Sequence, residues 1–379
     1  MILYSPAKKI GELLTREFLD NPKFYFFSPD ETTSNKFDKI YEVEKRAWGL
    51  PTKTWDLPES PDGRIVEMLS ENVLFSVMMG HLMNGEPAMM GSYEAFFPIV
   101  TSQLLQQMKF IKQSRETGWR EPLPAVNLLS TSTCWRQDHN GYTHQSPALI
   151  STLLAVPSGL ANCIFPVDDV SAEVAYHYMV KSTDAVNLAT FNKIDEPRYL
   201  DEEQAKALVR DGAIIYESLS DPEPDVVLVA VGDIMMKEVV AAIEAIREDI
   251  SDAKVRLVHI GALSYSAIGM AERKLSQEDF ARIFTPEQPI VANFHGYPET
   301  LEGILRHYTL RDKVLVHGYR EEGSTTTPME MLRRNHASRY DIAMDVAKIC
   351  GRDDLVQKYQ DILDKNHTYA LEHGEDMIQ

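Results

Sequence analysis

The densest run of side chains able to bind ligands or move protons is Cys134-Trp135-Arg136-Gln137-Asp138-His139-Asn140-Gly141-Tyr142-Thr143-His144-Gln145-Ser146-Pro147, which holds two His, an Arg, two Gln, an Asn and a Thr. It follows a strand-like apolar segment and precedes an apolar helix, so a rigid sheet would hold it at the surface, where binding and proton transfer take place. An ordinary solvated loop is the other reading. His139 and His144 stand five apart with no cysteine pair and no His-Glu-x-x-His pattern, so no metal site is expected here. Glu71 lies in Met68-Leu69-Ser70-Glu71-Asn72, within an apolar stretch that reads as a helix from about Arg64 to Met83. A carboxylate there either faces solvent or is buried to exchange one specific proton. Gly318-Tyr319-Arg320-Glu321-Glu322-Gly323-Ser324-Thr325-Thr326-Thr327-Pro328 sets glycines beside a hydroxyl run, which can cradle phosphate or simply cap a helix. Phe294-His295-Gly296-Tyr297-Pro298 is a strand-to-turn junction with a structural histidine. Neither Gly-x-Ser-x-Gly nor Gly-x-Gly-x-x-Gly occurs.

These clusters need elements to position them. Phe24–Phe27 reads as a buried strand opening into the polar turn Ser28–Asn35, the setting in which open α/β sheets place ligands. Helices are expected from Lys8 to Asp20 and from Ala95 to Gln113, the second with Phe97, Val100, Leu104, Met108 and Ile111 on one face. Ala125–Leu129, Ala161–Phe165 and Val186–Thr190 read as further buried strands between helices, which predicts a parallel sheet covered on both faces. Ser218–Pro224, with two prolines and no apolar period, reads as a linker. A second α/β unit follows: strands at Val226–Val231, Val255–Ile260 and Pro289–Phe294, and helices at Ile234–Ile250, Arg334–Cys350 and Asp354–His373. Two domains, 1–217 and 225–379, fit a chain of 379 residues.

Composition narrows the function. At 44% hydrophobic and 25% charged the chain is globular, and 38 Lys and Arg against 57 Asp and Glu give a net charge of −19, which repels nucleic acid and anionic membranes. The three cysteines suggest no disulfide framework, Met1–Lys9 shows no apolar core with a cleavage site, and no apolar run reaches about 18 residues. A cytoplasmic protein is expected.

In order along the chain, Phe27-Ser28-Pro29-Asp30-Glu31-Thr32-Thr33-Ser34-Asn35, Leu69-Ser70-Glu71, Ser92-Tyr93-Glu94-Ala95-Phe96, Trp135 to Gly141, Thr143-His144-Gln145, Phe294 to Pro298, Gly318 to Pro328 and His373-Gly374-Glu375-Asp376-Met377 closely resemble strings of the phosphoketolase family of thiamine-diphosphate enzymes. The resemblance implies two transketolase-like open-sheet α/β domains, the first binding the cofactor's pyrimidine. It implies cleavage of a ketose or ketose phosphate to an acyl phosphate and a shortened aldose. Glu71 would hold N1′ of the aminopyrimidine, Tyr93 and Phe96 would flank the ring, and Ser34, Gln137, His139, Asn140, His144 and Lys193 would meet substrate, with His144 as proton carrier. Family members are far longer, and their diphosphate and its Mg2+ or Ca2+ sit in a preceding domain. No Gly-Asp-Gly motif for that metal occurs here. The resemblance therefore implies half a site, completed by a separate diphosphate-binding subunit, with self-association as well. A transketolase-type two-carbon transferase and a non-catalytic scaffold subunit are the rival readings. Two departures, Ser70-Glu71-Asn72-Val73 for Ser-Glu-His-Gln and Asn84-Gly85-Glu86-Pro87-Ala88 for Thr-Gly-Arg-His-Gly, point away from the usual sugar phosphates.

Overall fold

A computed structural model describes residues 3–56, 58–309 and 311–378. The chain opens with β1 (Leu3–Tyr4), α1 (Pro6–Asp20) and β2 (Tyr25–Ser28). Ser5 caps α1 by accepting from the Lys8 amide, Pro6 presets its first turn, and Ile10, Leu13, Leu14 and Phe18 bury its inner face. Short strands β3 (Arg46–Ala47), β4 (Glu59–Ser60) and β5 (Ile65–Glu67) precede α2 (Glu71–Met83), β6 (Ala88–Tyr93) and α3 (Thr101–Thr117). Next come β7 (Val126–Thr131), α4 (Ala148–Ala155), β8 (Ala161–Ile164), α5 (Asp169–Lys181), β9 (Val186–Thr190), β10 (Glu196–Pro197) and α6 (Glu202–Asp211). The rest of the chain comprises β11 (Ala213–Ile215), β12 (Val226–Val231), α7 (Asp233–Asp249), β13 (Val255–Ile260), β14 (Ala262–Ser264), β15 (Ala267–Met270) and β16 (Arg273–Lys274). It ends with α8 (Gln277–Phe284), β17 (Ile290–Phe294), α9 (Pro298–Leu305), β18 (Val314–His317), α10 (Pro328–Arg334), α11 (Arg339–Ile349) and α12 (Asp353–His373).

Two sheets result. In the larger, β8, β9, β7, β6, β2, β5, β3 and β4 run parallel in that order, and β14 to β16 add an antiparallel margin beside β8. In the smaller, the order is β11-β13-β12-β17-β18, with β11 antiparallel. The sheets trade segments across residues 218–224: β11, before them, pairs with β13, whereas β14 to β16, after them, join the larger sheet. Central strands such as Val226–Val231 are buried on both faces, which is why they read as unbroken apolar runs. His259 on β13, fully buried, sits 3.0 Å from the Ala230 carbonyl, and burial lowers its pKa to about 4, so it is a neutral core residue.

Three expected helices start or end elsewhere. Residues 65–67 form a strand rather than the start of α2, because Phe26 and Phe27 pair with Ile65 and Val66 and the Arg64 guanidinium donates to the Phe18 and Asn21 carbonyls. Glu71 is consequently the first residue of its helix, not an interior one. Residues 94–100 are a 3-10 turn containing Pro98, and the α-helix proper begins at Thr101, although Phe97 and Val100 are buried as expected. The helix from Arg334 to Cys350 is two pieces, broken at His336, whose φ is 53°. Strand β6 and the hairpin of residues 262–274 are additional elements. Among the described residues no helix is long and apolar enough to cross a membrane, and the three cysteines are unpaired.

Candidate functional site

The carboxyl ends of β2, β5, β6, β7 and β9 lie at one edge of the larger sheet, where ligands bind in open α/β folds. Each carries one of the singled-out groups. Ser34 follows β2, Glu71 follows β5, Tyr93 ends β6 with Phe96 just beyond it, the segment Gln137–His144 follows β7, and Lys193 follows β9. The parallel register therefore gathers residues spread over more than 150 positions of sequence.

Contacts join most of them. Tyr93 donates its hydroxyl to Ser34 Oγ at 3.0 Å, and Lys193 Nζ sits 4.9 Å from the Tyr93 ring centre. The Tyr93 and Phe96 rings lie nearly parallel, 11° apart with centroids at 6.0 Å, and the His144 imidazole is 5.3 Å from the Phe96 ring. His144 Nδ1 is 3.0 Å from the Thr143 hydroxyl, and among the described residues Nε2 has no hydrogen-bond partner. Asn140 Nδ2 donates to Gln137 Oε1 at 2.6 Å, while Gln137 Nε2, fully buried, has no partner among the described residues. His139 stands apart: it is exposed, and no described hydrogen bond or ring contact reaches it.

Glu71 occupies the first turn of α2, half-buried, where the helix dipole favours a carboxylate. Among the described residues it makes no hydrogen bond or ion pair. Beside it lies Glu31, 9% exposed, whose Oε2 accepts the Tyr93 amide at 2.8 Å. Burial raises the Glu31 pKa from 4.5 to about 7; the Tyr93 amide and the Ser92 hydroxyl oppose the shift and the charge of Glu71 adds to it. Burial also lowers the Lys193 pKa, helped by Lys36, an exposed lysine after the same turn. Glu31 and Lys36 were not singled out from the sequence. The signal was present for Glu31, an acid among Ser and Thr at a strand end, whereas Lys36 is marked only by its left-handed backbone, φ 65°. Asn35 anchors this turn: its Oδ1 accepts the hydroxyls of Thr131 and Ser132 at 2.5 and 3.2 Å.

The smaller sheet supports the site from behind. Glu94 and His295, both buried, meet at 2.7 Å, and the other Glu94 oxygen accepts the Cys134 amide at 2.7 Å. The Trp135 indole donates to the His295 carbonyl at 2.9 Å. Asp233, at the start of α7, accepts the Asn192 amide at 2.6 Å and so fixes the backbone next to Lys193. Its pKa is pushed up to about 6, by burial above all.

The two departures from the family strings fall differently. Asn72 is exposed beside Glu71, its Oδ1 accepting from Ser70 Oγ. Glu86 lies beyond the far end of α2, at the amino end of β6, paired with His81 and Lys23, about 20 Å along the helix from Glu71. Within this chain Glu86 does not face the groups gathered at the carboxyl edge, so its replacement of a basic pair does not bear on substrate there.

The family model described as D-xylulose 5-phosphate/D-fructose 6-phosphate phosphoketolase matches residues 8–182, and the model of the same family's C-terminal domain matches residues 193–379. A probable phosphoketolase of Pseudomonas putida is 33% identical over 369 residues, covering 95% of this chain and 46% of its own length. One from Gloeobacter violaceus is 32% identical over 387 residues, covering 99% of this chain and 49% of its own. The chain thus spans about half the length of these relatives. Solved structures share the fold at lower identity. The transketolase from Leishmania mexicana superposes with a TM-score of 0.67 at 16% identity, over 95% of this chain and 46% of that one. A split gene transketolase, solved as an inactive beta4 tetramer, gives 0.62 at 16% identity over 91% of this chain and 98% of its own.

Proposed function

This chain belongs to the phosphoketolase family, and from that premise we propose that it supplies the pyrimidine-binding half of a thiamine-diphosphate-dependent lyase. The reaction is cleavage of a ketose or ketose phosphate to an acyl phosphate and a shortened aldose. The diphosphate and its Mg2+ or Ca2+ are held by a separate partner subunit, and the cytoplasm is its compartment. The observation that carries this reading is Glu71: a half-buried carboxylate with no described partner, at a helix N-terminus, beside Glu31 and the Tyr93 turn. An uncommitted acceptor at that place suits the protonated ring nitrogen of an aminopyrimidine, and the parallel Tyr93 and Phe96 rings offer it flat faces. When bound, thiamine diphosphate supplies the electron sink for carbon–carbon cleavage.

The chain's own residues do the rest. Ser34, Gln137, Asn140 and Lys193 bind hydroxyl and phosphate oxygens; the buried unpartnered Gln137 Nε2 is a donor awaiting an acceptor, and Lys193 with Lys36 gives this acidic protein a local cationic spot. His144, oriented by Thr143, moves a proton at Nε2. His139 joins them as a substrate contact from the exposed part of the loop. Support for partners comes from α2, whose outward side carries Val73 at 42% and Val77 at 48% exposure, with Leu69 at 82% in the turn before it. A split gene transketolase of the same fold occurs as an inactive beta4 assembly, which favours self-association of this chain and activity only with its partner.

The test is co-expression with a candidate diphosphate-binding subunit, followed by assay for thiamine-dependent acyl phosphate from xylulose 5-phosphate. Turnover abolished by Glu71→Gln supports the reading. Transfer of the two-carbon unit to an aldose with no acyl phosphate favours the transketolase-type alternative, which the fold neighbours keep open. A stable complex with neither activity makes the chain a scaffold subunit, and turnover by this chain alone removes the need for a partner.

A further inference from the structure

The segment 137–146, which carries Gln137, Asn140 and His144, does not rest on the larger sheet alone; it interlocks with the loop 318–327 that follows β18. Gln145 is the joint. Its side chain is 2% exposed and fully used: Nε2 donates to the Gln137 carbonyl at 2.9 Å and to the Ser324 carbonyl at 2.8 Å, and Oε1 accepts the Ser324 amide at 3.1 Å. The Gln145 carbonyl accepts the Tyr319 hydroxyl at 3.2 Å. The first of these bonds closes the segment on itself, the next two tie it to the facing loop, and the last ties it to a buried tyrosine stacked edge-on against Trp135. Close approach confirms how tightly the two loops mesh. A Cβ on Gly323 would fall 1.8 Å from the Tyr142 ring, and one on Gly141, whose φ is +80°, would fall 2.6 Å from the Thr325 hydroxyl.

The facing loop is held in turn. Asn335 Oδ1 accepts the Arg320 amide at 2.7 Å, and Asp376 near the C-terminus accepts the Thr327 hydroxyl at 2.6 Å and the Met329 amide at 2.8 Å. Residues far from the carboxyl edge of the larger sheet thus reach it through the buried Gln145 amide, with the exposed Tyr142 hydroxyl donating to Glu321 at 2.9 Å beside it. We propose that Gln145 is the positioning residue of this site: it sets the segment that presents Gln137, Asn140 and His144, and through it the C-terminal unit governs substrate handling while leaving the cofactor end untouched. The division is one of hydrogen bonding: Glu71, Tyr93 and Phe96 hang from other strands and share no described hydrogen bond with Gln145, and the clamped segment meets the two rings through the His144 imidazole. This inference rests on the functional reading above for the word substrate, but not for the clamp itself.

Hydrogen exchange on the full chain tests the clamp without any activity. The reporters are the amides of Gly141, His144 and Gln145, bonded to the Gln137, Gly141 and Tyr142 carbonyls. Gln145→Met keeps the volume and removes all three side-chain bonds; Gln145→Glu keeps the acceptor for the Ser324 amide but sets a carboxylate against two carbonyls. In both, exchange across 137–146 and 320–325 is expected to rise about ten-fold or more while α2 and β6 are unchanged. Unchanged exchange overturns the proposal. Should either variant fold poorly, Tyr319→Phe removes one bond to the same residue and is expected to raise exchange in the same segments to a smaller degree; no change there also overturns it.

In the reconstituted enzyme Gln145→Met is expected to lower kcat about ten-fold and raise the KM for sugar phosphate, with thiamine diphosphate affinity within about two-fold of the parent. Equal loss of cofactor affinity marks general loosening and overturns the positioning role. Raised exchange together with a parent complex that never turns over leaves the clamp standing and sinks the functional reading, so the two failures are distinct.

Discussion

Glu94, at the end of β6 in the larger sheet, and His295, at the end of β17 in the smaller one, form a buried pair 2.7 Å apart that joins the two sheets. It fills the crevice at the switch point of the smaller sheet, between β12 and β17, where an open α/β sheet would otherwise receive a ligand. Trp135, seated against the His295 carbonyl, fills the same place. The second sheet's natural binding edge is therefore spent on holding the first sheet's loop.

The pair carries a pH signature. Burial pushes His295 down, yet the Glu94 carboxylate more than offsets this, so the folded pKa lies above the ordinary 6.5. Its stabilisation is complete below 6.5 and fades as pH rises through that higher value. In Glu94→Gln only the charge of Asp233 is left to oppose burial, so the folded pKa falls and the stabilisation present below 6.5 is lost. Denaturant titrations should show the variant weaker by about 3 kcal/mol near the acid end and far closer to the parent above neutrality. A constant difference at all pH values would contradict the charged pairing.

Glu31 titrates in the opposite sense to an ordinary salt-bridged acid. Its folded pKa of about 7 exceeds the usual 4.5, so the folded state holds a proton that the unfolded state releases. Its contribution to stability is best below 4.5 and declines as pH rises to 7. Glu31→Gln keeps an acceptor for the Tyr93 amide and never ionises, so above pH 7 it should be the more stable protein, by up to about 3 kcal/mol. Thermal melts across this range would check the sign; a variant less stable than the parent at pH 8 would refute the protonated assignment.

Asp376 supports the loop beneath the site from the end of the chain. Its carboxylate accepts the Thr327 hydroxyl, the Met329 amide and the Asn366 side chain, serving the N-terminus of α10. Asp376→Ala should cost about 1.5 kcal/mol in denaturant unfolding, and Asp376→Asn, which can still accept the Met329 amide, clearly less.

How much of this was legible depended on whether a residue's partner was near in sequence. Val186–Thr190, Val226–Val231 and Val255–Ile260 are strands within the bounds their apolar runs suggest, because central parallel strands bury both faces. Ile65–Glu67 misread as helix because its strand partner, Phe26 to Ser28, is some 40 residues away, and pairing overrides local propensity. The polar clusters were visible as composition, and their meeting at one edge followed from strand ends in a parallel sheet. Gln145 was visible only as part of a string. Its significance is a pair of hydrogen bonds to Ser324, 179 positions distant, which no local pattern announces. The raised pKa of Glu31 comes from its burial, and Lys36 matters through its charge beside Lys193; neither effect is announced by a local pattern.

The outward side of α2 gives the last prediction. Val73 and Val77, four apart, form a stripe on the helix that begins with Glu71, Leu69 is exposed in the turn before it, and Leu74, Phe75, Met78 and Leu82 bury the other side. A helix apolar all round is one that expects cover on both sides. Val77→Asp places a charge where nothing in this chain needs the methyl groups, so monomer stability should change by no more than about 0.5 kcal/mol. Association should not be spared. If α2 is the face that a partner subunit or a second copy covers, the buried charge should weaken the complex at least about ten-fold, read by light scattering and by titration against the diphosphate-binding chain. Val77→Asp with unaltered assembly would show that the contact lies elsewhere, and would separate the open Glu71 from any interface next to it.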